Sequence, residues 1–77
     1  MNYPQYRKYK NDLSYFKVVS AEHFIEWKKQ PSSWEEIKFE AKILPDRVFI
    51  SDMLADNSKY WDVITELEYV DFLEKKK

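Results

Sequence analysis

From Glu36 to Ile43 the chain alternates: Ile37, Phe39, Ala41 and Ile43 stand between Glu36, Lys38, Glu40 and Lys42. A period of two places one set on each face of a strand. One buried and one wet face suits an antiparallel sheet. Ser14 to Ser20 reads as a second strand, rich in β-branched and aromatic residues. Tyr15, Lys17 and Val19 face one way, Phe16 and Val18 the other. Ala21 to Gln30 fits two templates. As a helix it would be capped by Ser20 and ended by Pro31, with Ala21, Phe24, Ile25 and Lys28 on one face. As a strand, His23, Ile25 and Trp27 alternate with Phe24, Glu26 and Lys28. A meander pairing with both neighbours favours the strand. Gln30-Pro31-Ser32-Ser33 is a turn.

Pro45-Asp46 breaks the alternation. Phe49, Ile50, Met53 and Leu54 then share a helix face, with Pro45 tolerated in the first turn. A hairpin return through Val48, Phe49 and Ile50 is the rival. Asp56 to Lys59 reads as a loop and Tyr60 to Ile64 as a short strand. Thr65-Glu66-Leu67-Glu68 is a capping-box sequence opening a helix over 66–75. Its apolar stripe is Leu67, Val70 and Leu73, flanked by Tyr69 and Phe72. Acids at its start and Lys75, Lys76 and Lys77 at its end complement the helix dipole. Residues 1–13 are polar and aromatic, with Tyr3, Tyr6 and Tyr9 every third residue; they read as an N-terminal arm or a short helix from Pro4 to Lys10. The expected fold is α+β: one small domain over 1–77, with an antiparallel sheet of three to four strands and the C-terminal helix packed on one face.

Length sets the scale of the core. A 77-residue chain buries about 60% of its unfolded surface and keeps roughly 5,000 Å² exposed. Its 5 Phe, 6 Tyr and 3 Trp would occupy roughly 2,100–3,500 Å² if buried. The rings therefore fit inside one core and do not demand an interface. The 13 cationic and 14 acidic side chains leave a net charge of −1, so no global field favours nucleic acid or an anionic membrane. No apolar run approaches the ~20 residues of a membrane span, and no secretory h-region is present. A cytoplasmic protein is expected, with no membrane partner.

Two absences remove chemistries. There is no Cys, hence no disulfide framework, thiolate nucleophile or zinc finger. There is no Gly, hence no phosphate-binding Gly loop and no Gly-x-Ser-x-Gly elbow. Turns that need a positive φ must use Asn or Asp, with Asn11-Asp12 and Asp56-Asn57 as candidates. His23 is the only imidazole. It could meet Glu26 only on a helix, and a zinc site wants more ligands. No catalytic residue, cofactor or metal is expected, and the chain reads as a non-enzyme.

Two surfaces remain as candidates. Trp34, in phase with Glu36 on the wet side of its strand, is an interface anchor, as are Trp61, Tyr6 and Tyr9, because hot spots favour such rings. The alternative is single-stranded nucleic acid, held by the cations Arg7, Lys8 and Lys10 with Tyr3 to stack on bases. At the other end Asp62, Glu66, Glu68, Asp71 and Glu74 form an acidic stretch suited to a basic partner or to head-to-tail self-association. The segments Tyr-Pro-Gln-Tyr-Arg-Lys-Tyr (3–9), Ser-Tyr-Phe-Lys (14–17), Ala-Lys-Ile-Leu-Pro-Asp-Arg (41–47) and Asp-Met-Leu (52–54) resemble blocks in a group of short bacterial proteins of unknown function. That resemblance covers most of the chain and implies a self-standing bacterial domain, with no activity and no functional residues. The expectation is a non-catalytic protein-interaction domain whose partner is another protein or a second copy.

Overall fold

Four successive segments pair with their sequence neighbours, and a fifth returns to the first. In the computed structural model, which describes residues 2–55 and 59–76, these are β1 (Gln5–Tyr9), β2 (Ser14–Val18), β3 (His23–Lys29), β4 (Trp34–Glu40) and β5 (Trp61–Val63). Helix α1 (Leu44–Met53) precedes β5 and α2 (Glu66–Lys75) follows it. Every pairing is antiparallel, and the sheet order is β4-β3-β2-β1-β5. The fold is α+β, with five strands where three to four were expected. The extra strand is β1, read from sequence as an arm or short helix. Its tyrosine period of three misled, because odd spacing in a strand sends Tyr6 and Tyr9 to opposite faces. Both faces of β1 need rings: Tyr6 clusters with Ile64 and Tyr69, Tyr9 with Phe16 and Trp61.

Register fixes the two faces. One carries Arg7 and Tyr9 of β1, Ser14, Phe16 and Val18 of β2, Phe24 and Glu26 of β3, and Ile37 and Phe39 of β4. Ile50 and Met53 of α1, with Leu54 just beyond it, join this face around fully buried Phe16 and Val18. Each such side chain contributes about 1.5–3 kcal/mol by leaving water. The helix reading of Phe49, Ile50, Met53 and Leu54 is the one observed, although Phe49 stays at the edge. The alternating strand ends at Glu40, earlier than its pattern suggests. Ala41 is buried, but Ile43 is exposed and caps α1 instead. There the Asp46 carboxylate accepts from the Lys42 and Ile43 amides.

The opposite face carries Tyr6, Tyr15, Trp27 and Trp34. Phe72 of α2 stacks on Tyr15 with centroids 3.8 Å apart and meets Trp34 edge-on at 4.8 Å. Tyr69 lies 5.0 Å from Tyr6 and accepts a hydrogen bond from Trp27 Nε1 at 2.9 Å. The Thr65 hydroxyl accepts from the Glu68 amide at 3.1 Å, as its sequence indicates. The inward stripe differs in part from the expected one: Tyr69 and Phe72 are buried and Leu73 packs beside them, whereas Leu67 is 77% exposed and Val70 is exposed as well. Both stripes have helical spacing, and the larger ring area goes inward.

Without glycine, the β1–β2 turn relies on Asp12, whose φ of 61° is left-handed. Asp is among the few side chains that tolerate this region. Asn11 Oδ1 accepts from the Leu13 amide and the Asp12 amide donates to Tyr9 O, which closes the turn. The second candidate turn, Asp56-Asn57, lies outside the described residues. The Tyr3–Pro4 peptide is cis.

Candidate functional site: an aromatic cleft beside the first helix

Trp61 enters the core from the short edge strand β5, opposite Tyr9 of β1. The two rings stack, 5.8 Å apart and inclined by 23°. Phe49 reaches down from α1 and meets Trp61 edge-on at 5.5 Å. Tyr60 approaches from the other side at 6.0 Å, also edge-on. Between them opens a cleft of about 540 Å³, lined by Tyr9, Phe49, Tyr60 and Trp61 with Lys10, Asn11 and Lys59 at its rim. Trp61 is buried and Tyr9 half-buried, while Phe49 and Tyr60 are exposed. The local sequence explains the contrast. Trp61 follows the alternation of β5 inward, and Tyr60 precedes the strand and stays outside it.

Phe49 is also the wall of a second cleft, about 390 Å³, with Phe24, Phe39 and Glu26. Phe24 stacks on Phe39 at 4.7 Å and lies 5.8 Å from Phe49. An aromatic band thus runs from Tyr60 to Phe39 along the side of α1. Glu26 and Asp46 are its acids, and the Ser14 hydroxyl donates to Glu26 at 2.8 Å. Burial, reinforced by the negative field of Glu26, pushes the Tyr9 hydroxyl above its ordinary pKa. The band is apolar at its rings, with the carboxylates of Glu26 and Asp46 at one end and the amines of Lys10 and Lys59 at the other. It can bind a flat or aliphatic group by burial and stacking.

The four expected interface anchors separate. Tyr9 and Trp61 form the cleft. Tyr6 is buried and donates to Glu66 Oε2 at 3.1 Å, tying β1 to the start of α2. Trp34 does lie on the Glu36 side of its strand, but Phe72 and Tyr15 sit on it and Lys29 Nζ lies 5.0 Å over its ring. Phe49 and Tyr60 also line the cleft and are not among the anchors expected from sequence. The helical spacing of Phe49 assigned it to the core, and no pattern in the sequence marks Tyr60.

The alternative set is divided more sharply. Arg7 is only 5% exposed. Its Nε donates to Met53 O at 3.1 Å and its Nη1 to Tyr6 O at 2.8 Å. It satisfies the carbonyl end of α1, where donors are wanted. Lys8 is held by Asp12, and that hydrogen bond raises the lysine's pKa. Lys10 pairs with Asp62 at 2.6 Å. Tyr3 is exposed and lies beside Arg47, Ile50 and Leu54, along the second half of α1. The set is not gathered into one basic surface.

His23 meets two groups that could assist it. Its Nδ1 lies 3.1 Å from Ser20 Oγ, and its Nε2 is 3.7 Å from Glu40 Oε2. The Ser20 hydroxyl also accepts from the Glu22 amide, which closes the β2–β3 turn. His23 and Glu40 side chains are 50% and 62% exposed, so the trio sits in bulk water at a turn. Among the described residues no group of three metal-ligating side chains converges, and no helix is long and apolar enough to cross a membrane. Comparison with protein-family models, with curated proteins and with solved structures finds no match to this chain.

Proposed function

We propose that this chain is a small non-catalytic protein-interaction domain of the cytoplasm, and that the cleft of Tyr9, Phe49, Tyr60 and Trp61 receives an apolar or aromatic side chain of a partner protein. The observation that carries this reading is the pair of exposed rings, Phe49 and Tyr60, standing at the mouth of a cleft whose floor is buried Trp61. Rings that already sit in fixed contacts lose little freedom on binding, and hot spots concentrate in such ring-lined pockets. The bacterial setting suggested by the sequence blocks at 3–9 and 41–47 belongs to the same proposal.

The test is selection from a displayed random-peptide library, followed by calorimetry on the enriched peptides. Enriched peptides should share one aromatic or branched apolar anchor. Tyr60→Ala should weaken them about tenfold or more, the effect of a hot-spot residue worth ~1.4 kcal/mol or above. Failure to enrich any peptide, or binding untouched by both Tyr60→Ala and Phe49→Ala, overturns the proposal.

A further inference from the structure

β4 is a seven-residue edge strand, paired on one side with β3 and on its other side with no described strand. Which of its backbone groups face outward follows from the hydrogen bonds flanking the pair. The Gln30 amide donates to Ser33 O and the Ala41 amide to Glu22 O. Bonded pairs alternate in an antiparallel ladder. Glu35, Ile37 and Phe39 therefore exchange bonds with β3. Trp34, Glu36, Lys38 and Glu40 point their amides and carbonyls away from the sheet.

An outward row of this kind is a template for another strand, and its side chains select the partner. Consider a second β4 laid antiparallel across a two-fold axis. Outward residues must meet outward residues, so the axis passes through one residue. Centred on Glu36, the strand opposes Glu36 to its own copy. Centred on Lys38, it opposes lysine to lysine and Glu36 to Glu40. Centred on Ile37, it opposes Glu36 to Lys38 twice, Ile37 to Ile37, and Trp34 to Glu40. Only this last register both uses the full strand and places no like charges opposite each other. Opposite charges across a strand pair stabilise it and like charges destabilise it. Glu36 and Lys38 make no ion pair within the chain among the described residues, so both are available.

We infer that the partner at this edge is a second copy of the chain, joined β4 to β4 about a two-fold axis at Ile37 into one continuous ten-stranded sheet, with five strands from each copy. The association is isologous, and each Glu36 meets the other copy's Lys38. This surface is distinct from the aromatic cleft, and the two readings stand or fall separately: β4 variants report on mass, Tyr60→Ala on peptide binding.

Light scattering after size exclusion should give a dimer mass for the full chain. Glu36→Lys alone and Lys38→Glu alone should each give monomer, because each opposes like charges twice. Mixing the two variants should restore a dimer, since every contact then pairs opposite charges. Circular dichroism of each variant checks that the monomers are folded. Oxidation supplies the register. In the proposed pairing Ile37 faces its own copy in a non-hydrogen-bonded pair with Cα atoms about 4.5 Å apart, inside disulfide reach. Ile37→Cys should cross-link under air oxidation and Phe39→Cys should not; the native chain has no Cys to confuse the product. A monomer mass for the unmodified chain at every concentration and salt overturns the inference. So does a dimer that both single charge reversals leave intact, or one in which Phe39→Cys links and Ile37→Cys does not.

Discussion

Arg7 shows how far a residue's role departs from its type. A cation among tyrosines reads as a nucleic-acid contact, yet here it is buried and bonded to Met53 O and Tyr6 O. Hydrogen bonds from a charged donor are worth ~1.5–3 kcal/mol each; their loss takes this donor from Met53 O, while Tyr6 O keeps the Ile64 amide. Arg7→Met should therefore lower stability by about 2–3 kcal/mol in urea unfolding, whereas an equally basic but exposed Lys42 replaced by Met should change it by under about 0.5 kcal/mol. Equal effects would show that Arg7 is not structural. Tyrosine supplies a second test. Burial is the main cause raising the pKa of Tyr6, Tyr9 and Tyr69. For a raised group, the stabilisation is complete below the unfolded value, near pH 10 for tyrosine, and is lost as pH rises through the folded value. Stability should not change through tyrosine ionisation until about pH 9.5 and should fall above it. Tyr69→Phe should blunt that fall, while costing about 1 kcal/mol at neutral pH for the bond from Trp27. Denaturation midpoints across the alkaline range, with tyrosinate absorbance, measure both.

At the scale of elements, much was legible. Alternation located β4, β-branched and aromatic richness located β2, the capping sequence located α2, and proline opened α1. What failed was the choice between patterns of equal period. In α2, Leu67-Val70-Leu73 and Tyr69-Phe72 both have helical spacing, and only the tertiary contacts with Tyr15 and Trp34 decide between them. The rings win because the sheet face opposite is itself aromatic. Phe72→Ala should then cost about 3–5 kcal/mol, and Leu67→Ala no more than about 0.5 kcal/mol; thermal melts of the pair order the two stripes. At the start of α2, Thr65→Ala should cost about 1 kcal/mol through its lost bond to the Glu68 amide. The site was less legible than the elements. Trp61 and Tyr9 are expected as anchors and both line the cleft, but Tyr60 becomes part of it only because β5 lies beside β1, and that pairing leaves no local mark in the sequence.

For the whole molecule, the central fact is a sheet with aromatic clusters on both faces. Phe16 and Tyr15 are sequence neighbours, yet one lies under α1 and the other under α2. Neither cluster can loosen without disturbing the backbone they share. Unfolding should therefore be a single transition: tryptophan fluorescence, with Trp61 on one face and Trp27 on the other, should follow the same urea curve as circular dichroism. Two separated transitions would show that the faces melt independently. The strand order has one more consequence, and it concerns time. β1 through β4 can zip together in the order of synthesis, each strand meeting the one before it. The partner on the other side of β1 is β5, which leaves the ribosome only after the whole meander and α1. Until Trp61 arrives, Tyr9 lacks its stacked neighbour and β1 presents a bare margin. A nascent chain spends that interval with two open margins, β1 and β4, and is most exposed to wrong pairing then. A strand made only after the meander and α1 thus shields the strand with which the meander opens.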